Sequence, residues 1–292
     1  MKSILNTGGG SHYYTQTGAP RYTMEIKSGK RKGEHRNTSL ADARKAGWLP
    51  SITTVLGSYP KDRLDEWIKE QAVLARHNNP PPEEAAAPIE KLSDCDEAQK
   101  VYFQWIAKLA NKIRDEKGAR GTYLHDGCEA ILKGEPWNED DAALVALAGW
   151  LKENVEEVYF LERSVVNIEL GVAGRLDACV KVKGKTTPRI LDYKGRGFGH
   201  TKARGWEAKR RKSDLLQLAF YASTQADLPV VANLYIANDR DEPLLDYVEY
   251  DEDEREAAFD ALRHVVKVWQ YDNNYRPQID HDEILEHLEA AQ

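Results

Sequence analysis

Asp177, Asp192 and Lys194 are the residues whose types and spacing point most directly to chemistry. They lie in the stretch Gly171 to Lys194, GVAGRLDACVKVKGKTTPRILDYK, where two strand-like runs, Leu176 to Val182 and Arg189 to Tyr193, flank a segment marked by Gly184 and Pro188. That pattern predicts a β-hairpin with one acid on each arm. Alternation along the second arm places Asp192 and Lys194 on one face and Leu191 and Tyr193 on the other, while Ile190 and Leu191 bed the strand in an apolar core. Two carboxylates and an ammonium beside a core strand are costly to desolvate, and a bound divalent cation is the simplest compensation. For Asp-x-Lys taken alone, the alternative is a surface hairpin whose charges face water.

The wider pattern favours the first reading. Gly171-x-x-Gly174-x-x-Asp177, a short gap, then Ile190-Leu191-Asp192-x-Lys194 resembles the core motif of the PD-(D/E)XK nuclease superfamily. Upstream, Gly121-Thr-Tyr-Leu-His125-Asp-Gly-Cys-Glu129 is similar to the Gly-x-x-x-His-x-x-x-Glu helix of its RecB-like exonuclease branch. Downstream, Gln217-Leu-Ala-Phe-Tyr221 is similar to that branch's Gln-x-x-x-Tyr helix. The four segments occur in the family's order over about 100 residues.

The resemblance implies a metal-dependent DNA exonuclease of the RecB-like or phage recombination type, acting in recombination or repair, with a recombination partner protein and an oligomeric state both open. Asp177 and Asp192 would hold Mg²⁺ or Mn²⁺, with His125 and the Tyr193 carbonyl completing part of the shell. Lys194 would orient or activate the attacking water and neutralise charge on the transition state. Gln217 and Tyr221, one helical turn apart, would reach the DNA or steady Lys194; a buried tyrosine satisfied by a neighbouring amide is the alternative. His125 and Glu129 share a helix face, with a surface glutamate as the alternative for Glu129. Glu162, on the preceding strand, is another acid that could lie near the site, with a structural ion pair as the favoured reading. Some relatives carry a four-cysteine iron–sulfur cluster. Cys95, Cys128 and Cys179 cannot supply one, so none is expected, nor is a disulfide framework or zinc site.

A chain of 292 residues with 41% hydrophobic and 30% charged content can bury one sizeable core with an appended lobe. It has no apolar run near the roughly 20 residues a membrane span needs and no secretory signal, which makes a cytoplasmic location the expectation. The net charge of −7 is unevenly spread: residues 239–292 hold 17 acids against five Lys/Arg, leaving the first 238 at +5. Lys194 to Lys212 carries eight Lys/Arg against the single acid Glu207, in a segment opened by Gly195, Gly197 and Gly199. It reads as a flexible basic loop tracking phosphates through Arg196, Lys202, Arg204, Lys209, Arg210 and Arg211, with Arg175 as a phosphate clamp; a hydrated charge run is the plain alternative. Nothing is obviously spare for reading bases, which favours an exonuclease over a sequence-specific endonuclease. The rival functions are a catalytically silent DNA-binding module of the same fold, an endonuclease with the same site, and a small-molecule phosphoesterase.

The elements that must position these residues follow from periodicity. Residues 12 to 50 read as a hairpin and a short helix near Ala41 to Lys45. Pro50-Ser-Ile-Thr-Thr-Val-Leu56 then leads to a helix over Asp62 to Ala75, with Thr53 and Thr54 read as cap or turn residues. A proline-rich loop spans Asn78 to Pro88. Helices are predicted over Glu97 to Lys117, Thr122 to Lys133, Asp140 to Val158, Ser213 to Gln225 and Glu254 to Trp269. Strands are predicted over Tyr159 to Ile168, Val230 to Ala237 and Leu244 to Tyr250. The order implies an α/β (α+β), restriction-endonuclease-like core with a central mixed β-sheet flanked by helices. The expected division is 1–96 packing on the core, 97–275 as the core itself, and 276–292 as an acidic tail.

Overall fold

The computed structural model describes residues 11–60, 62–226, 229–237, 242–282 and 284. In chain order its strands are β1 (Tyr13–Tyr14), β2 (Thr23–Glu25), β3 (His35–Asn37), β4 (Leu49–Pro50), β5 (Val155–Asn167), β6 (Val172–Val182), β7 (Arg189–Arg196), β8 (Phe198–Thr201), β9 (Gly205–Ala208), β10 (Val230–Ala237) and β11 (Leu245–Tyr250). Its α-helices are α1 (Leu40–Ala46), α2 (Ile52–Val55), α3 (Asp62–Asn78), α4 (Glu97–Lys133), α5 (Ala142–Asn154), α6 (Lys212–Ala222) and α7 (Glu252–Asp272).

Five strands make the central sheet in the order β11-β10-β7-β6-β5; β7 and β10 run parallel and the other neighbours antiparallel. Apolar residues on both faces explain why helices cover both. On one face Ile190 and Val231 join Leu216, Leu218 and Phe220 of α6 and Leu262, Val266 and Trp269 of α7. On the other, Leu191, Tyr193, Ala232 and Leu234 join Leu124 and Cys128 of α4 and Leu144, Leu147 and Leu151 of α5. Fully burying one large aliphatic or aromatic side chain stabilises by about 1.5–3 kcal/mol, so these two layers hold the sheet in place.

By internal contacts the chain divides into Pro60–Arg120 on one side and Gly10–Tyr59 with Gly121–Gln292 on the other. Within Pro60–Arg120, Ala85, Tyr102 and Ile106 form a small core and the Tyr102 hydroxyl donates to the Asn79 carbonyl. All the candidate site residues belong to the second unit.

Several elements differ from their sequence-based bounds. The two helices expected around Gly118 and Gly121 are one helix, α4, of 37 residues. An interior glycine costs about 1 kcal/mol relative to alanine, and the helix-forming neighbours absorb it. Helix α5 ends at Asn154, four residues early, because Val155 already pairs with Val182 in the sheet. The hairpin expected within residues 12–26 is reduced to one bridge, Tyr14 to Pro20; β1 pairs with β4 and β2 with β3. Ser51 caps α2 by accepting from the Thr54 amide, while Thr53 and Thr54 lie within the helix and the Thr54 hydroxyl accepts from the His12 amide. The stretch expected as a flexible basic loop folds as the β8–β9 hairpin. Of the acidic tail, residues 285–292 lie outside the described residues.

Candidate active site

The site forms where β6 and β7 part. Their antiparallel ladder runs Val180↔Arg189, Cys179↔Ile190, Ala178↔Leu191 and ends there, one residue before Asp177 on one strand and Asp192 on the other. Beyond it β7 continues in register with β10 as far as Arg196. The Tyr193 amide, left without a strand partner on the β6 side, donates instead to Asp177 Oδ2 at 2.9 Å. An amide and carbonyl of one strand residue point to the same edge, so the Tyr193 carbonyl also faces this gap.

Asp177 lies at a change of face in β6. Val172 and Leu176 pack with α6, whereas Ala178 and Val180 pack with α4 and α5. Opposite it on β5, flanked by the pairs Leu161↔Ala178 and Arg163↔Leu176, stands Glu162 with φ of +49°. A glutamate in the left-handed region inside a strand carries local strain on the order of 1–3 kcal/mol, held by the surrounding structure.

His125 on α4 brings a third group: its Nε2 is 3.2 Å from Asp177 Oδ1 and 3.6 Å from Glu162 Oε1. His125, Glu162 and Asp177 each offer one ligand atom, all within 4.8 Å of one another. Glu162 Oε1 is buried without a hydrogen-bond partner, and an unsatisfied carboxylate oxygen aimed among two other donors is what a hard cation would satisfy. Two carboxylates and an imidazole make a donor set that fits a divalent cation.

Asp192 is adjacent but engaged differently, and none of its surface is exposed. Lys194 Nζ donates to its Oδ1 at 2.8 Å and Asn233 Nδ2 to its Oδ2 at 2.8 Å. The orientation of Asn233 is fixed from behind, since the hydroxyls of Tyr235 and Tyr250 both donate to its Oδ1 at 3.1 Å. Asp192 thus lies beside the cluster with both oxygens engaged, and Glu162, whose first sequence reading was an ion pair, stands with His125 and Asp177. It has that pair as well, with Arg175.

The charges bias one another. Burial lowers the basicity of His125, but its hydrogen bond to Asp177 and the charges of Asp177, Glu162 and Asp192 outweigh that and raise its pKa to about 9. Burial raises the Asp177 pKa, and the His125 bond with the Lys194 and His125 charges more than reverses it, leaving the acid below its ordinary value. Burial dominates at Asp192 and, with the charge of Asp177, lifts it to about 7 against the pull of Lys194. Lys194 is raised because Asp192 and Asp177 overcome its own desolvation. It stays an ammonium at neutral pH, suited to charge neutralisation and poorly suited to taking a proton.

Other expected residues take supporting places. Gln217 Nε2 donates to the Tyr221 hydroxyl at 2.8 Å, and that hydroxyl donates to the Arg175 carbonyl at 2.8 Å. Both side chains are buried, and through the Arg175 carbonyl they brace β6 two residues before Asp177. Glu129 pairs with Lys133 on its own helix and is not in the cluster. Arg196, expected on phosphate, is instead paired with buried Asp214, whose Oδ2 also accepts from the Arg211 amide at the start of α6. Arg210 is shared between Glu207 and Asp246. Lys202, Arg204, Lys209 and Arg211 are exposed. Arg175 remains 45% exposed beside Glu162.

Two glycines of the motifs are required by close approach. A Cβ on Gly174 would stand 3.0 Å from Phe220 and Tyr221 of α6, and one on Gly127 would stand 2.5 Å from Leu144 of α5. Gly121, which opens the upstream motif, has open space around it. Asn233 escaped sequence reasoning, since only the β7–β10 register Asn233↔Asp192 brings it to the acid; Glu162 was legible as an acid near the site but ranked below an ion pair, because its backbone conformation has no local signature.

A sequence model of the PD-(D/E)XK nuclease superfamily matches residues 72–282. No curated protein matches the chain. Among solved structures, one described as the crystal structure of SSO0001 is similar at 14% identity and a TM-score of 0.26, covering 74% of this chain and 89% of that one. At that score the likeness bears on neither fold nor function. No described helix is long and apolar enough to cross a membrane.

Proposed function

The chain belongs to the PD-(D/E)XK nuclease superfamily, and on that ground we propose that it is a Mg²⁺- or Mn²⁺-dependent DNA exonuclease of the RecB-like or phage type, serving recombination or repair. The observation that carries the proposal is the juxtaposition of the His125–Glu162–Asp177 donor cluster with the buried Asp192–Lys194 pair at the opening between β6 and β7. A bound divalent ion would polarise the phosphoryl group and lower the pKa of a water molecule.

The chain's own residues supply the rest. His125, Glu162 and Asp177 would hold the ion, with the Tyr193 carbonyl facing the same gap. Asp192 would join them as Lys194 turns from it to the substrate. Lys194, held as an ammonium, would neutralise charge that develops on the nonbridging phosphate oxygens and orient the attacking water without removing its proton. Arg175 can exchange Glu162 for a phosphate, the kind of planar two-point recognition guanidinium groups favour. Gln217 and Tyr221 keep the Asp177 segment rigid.

Exonuclease action is favoured by the lack of an evident base-reading element and by the Gln217/Tyr221 and His125 helices. The test offers linear and covalently closed circular forms of one DNA, single- and double-stranded, with Mg²⁺ or Mn²⁺. Rapid loss of linear DNA with circles spared is the expected result. Equal attack on circles sinks the exonuclease assignment, and no cleavage of any form sinks the enzyme.

A further inference from the structure

Helices and strands that pack on a core usually lose their apolar face where the cover ends. The β8–β9 hairpin does not. Strand alternation and the register Phe198↔Ala208 and His200↔Trp206 put all four side chains on one face. The inner half of that face, Phe198 and Ala208, is buried against Tyr235 and Ala237 of β10. In the outer half His200 is exposed and Trp206 is 44% exposed, with the two rings 5.1 Å apart and edge to face.

Cations frame this aromatic pair. Lys202 and Arg204 lie at the tip, both exposed, with Arg204 3.7 Å from Glu207. Lys209 and Arg210 lie at the base. The hairpin is anchored where an isolated one would be only marginally stable: the Ala208 amide donates to Asp246 Oδ2 at 3.0 Å, and the Lys209 amide donates to the Gly197 carbonyl at 2.8 Å. It springs from the end of β7 immediately after the strand that carries Asp192 and Lys194.

We propose that this hairpin is a single-strand grip: Trp206, steadied by His200, stacks on an unpaired base of the substrate while Lys202, Arg204 and Lys209 hold the flanking phosphates. The proposal rests on the nuclease reading for the identity of the polymer. An exposed indole among cations suits a base face and backbone together, and stacking accepts any base. Bases inside a duplex present only their edges to the grooves, so ring-to-ring stacking selects a base that is already unpaired. The hairpin would thus favour a single-stranded or frayed end over a blunt one.

The test measures binding by fluorescence anisotropy in EDTA, with a labelled single strand, the same strand carrying a run of abasic sites, and a blunt duplex. Trp206→Ala should weaken the single strand on the order of ten- to a hundredfold, Trp206→Phe should retain most of the affinity, and neither should change binding of the abasic strand. Because no phosphate contact is removed, the salt slope of Trp206→Ala should equal the parent's. Parental affinity in Trp206→Ala, an equal loss on the abasic strand, or an equal loss in Trp206→Phe would overturn the grip. The nuclease reading fails separately, if the parent cleaves no DNA with Mg²⁺ or Mn²⁺ while this binding pattern stands.

Discussion

His125 sits between two carboxylates, and its titration links the fold to the proposed metal. Its pKa of about 9 in the folded protein lies above the ordinary 6.5, so the protonated ring stabilises the metal-free fold fully below pH 6.5, and this contribution is lost as pH rises through 9. In EDTA, His125→Gln should therefore lower stability by up to about 3 kcal/mol near pH 6 and by little near pH 10, as read from urea melts at the two values. An equal loss at both pH values would deny the coupling. A second residue-scale expectation concerns Asn233, which joins Asp192 to the Tyr235 and Tyr250 hydroxyls. Asn233→Leu removes the acceptor shared by the Tyr235 and Tyr250 hydroxyls, which keep each other as partners, and leaves the buried Asp192 Oδ2 without its side-chain donor, which should cost about 1–3 kcal/mol of stability. Cleavage should fall about 10- to 100-fold in kcat with KM little changed, since supporting partners of metal-site residues act at that scale. A changed KM with parental kcat would place Asn233 on the substrate instead.

At the scale of elements, the site depends on contacts that hold strands and helices at close range. Helix α4 must approach α5 closely enough to bring His125 over the sheet, and Gly127 is the point of approach. Gly127→Ala gains a small propensity benefit but drives a methyl into Leu144, and should destabilise by about 1–3 kcal/mol, with Gly121→Ala neutral or stabilising. Thermal melts of the two variants decide it; a harmless Gly127→Ala would mean α5 yields freely. The Asp192/Lys194 face of β7 was legible in sequence because a period of two needs no tertiary information. The brace from Tyr221 to β6 was legible only as an alternative, since one turn of helix shows that Gln217 and Tyr221 face the same way and not what they meet. Glycine punctuation misled in two directions. Gly118 and Gly121 suggested a break in a helix that continues. Gly195, Gly197 and Gly199 suggested a loose loop where Phe198, His200, Trp206 and Ala208 pair across a turn. Glu162 was legible only as the lesser of two readings, because its placement comes from a left-handed backbone inside a strand, and Asn233 stayed hidden because its partner lies 41 residues away.

For the whole molecule, charge separates the two ends of the chain: the first 238 residues carry +5 and the remainder −12. Not every cation of the basic run is free for DNA, since Arg196 belongs to Asp214 and Arg210 to Glu207 and Asp246. Replacing Lys202, Arg204, Lys209 and Arg211 together by Gln should weaken DNA binding similarly for any sequence and flatten its dependence on salt, because fewer counterions are released. An unchanged slope would reduce these residues to hydrated surface. The most direct measurement on the central claim is a calorimetric titration of the metal-free protein with Mn²⁺, comparing the parent with Glu162→Gln, Asp177→Ala and Lys194→Ala. The parent should bind, more tightly as pH rises towards 9 because the ion needs the neutral His125 ring. Glu162→Gln and Asp177→Ala should lose most of that heat, while Lys194→Ala keeps it and loses cleavage. Parental Mn²⁺ binding in both acid variants would contradict a metal centre at this parting of β6 and β7.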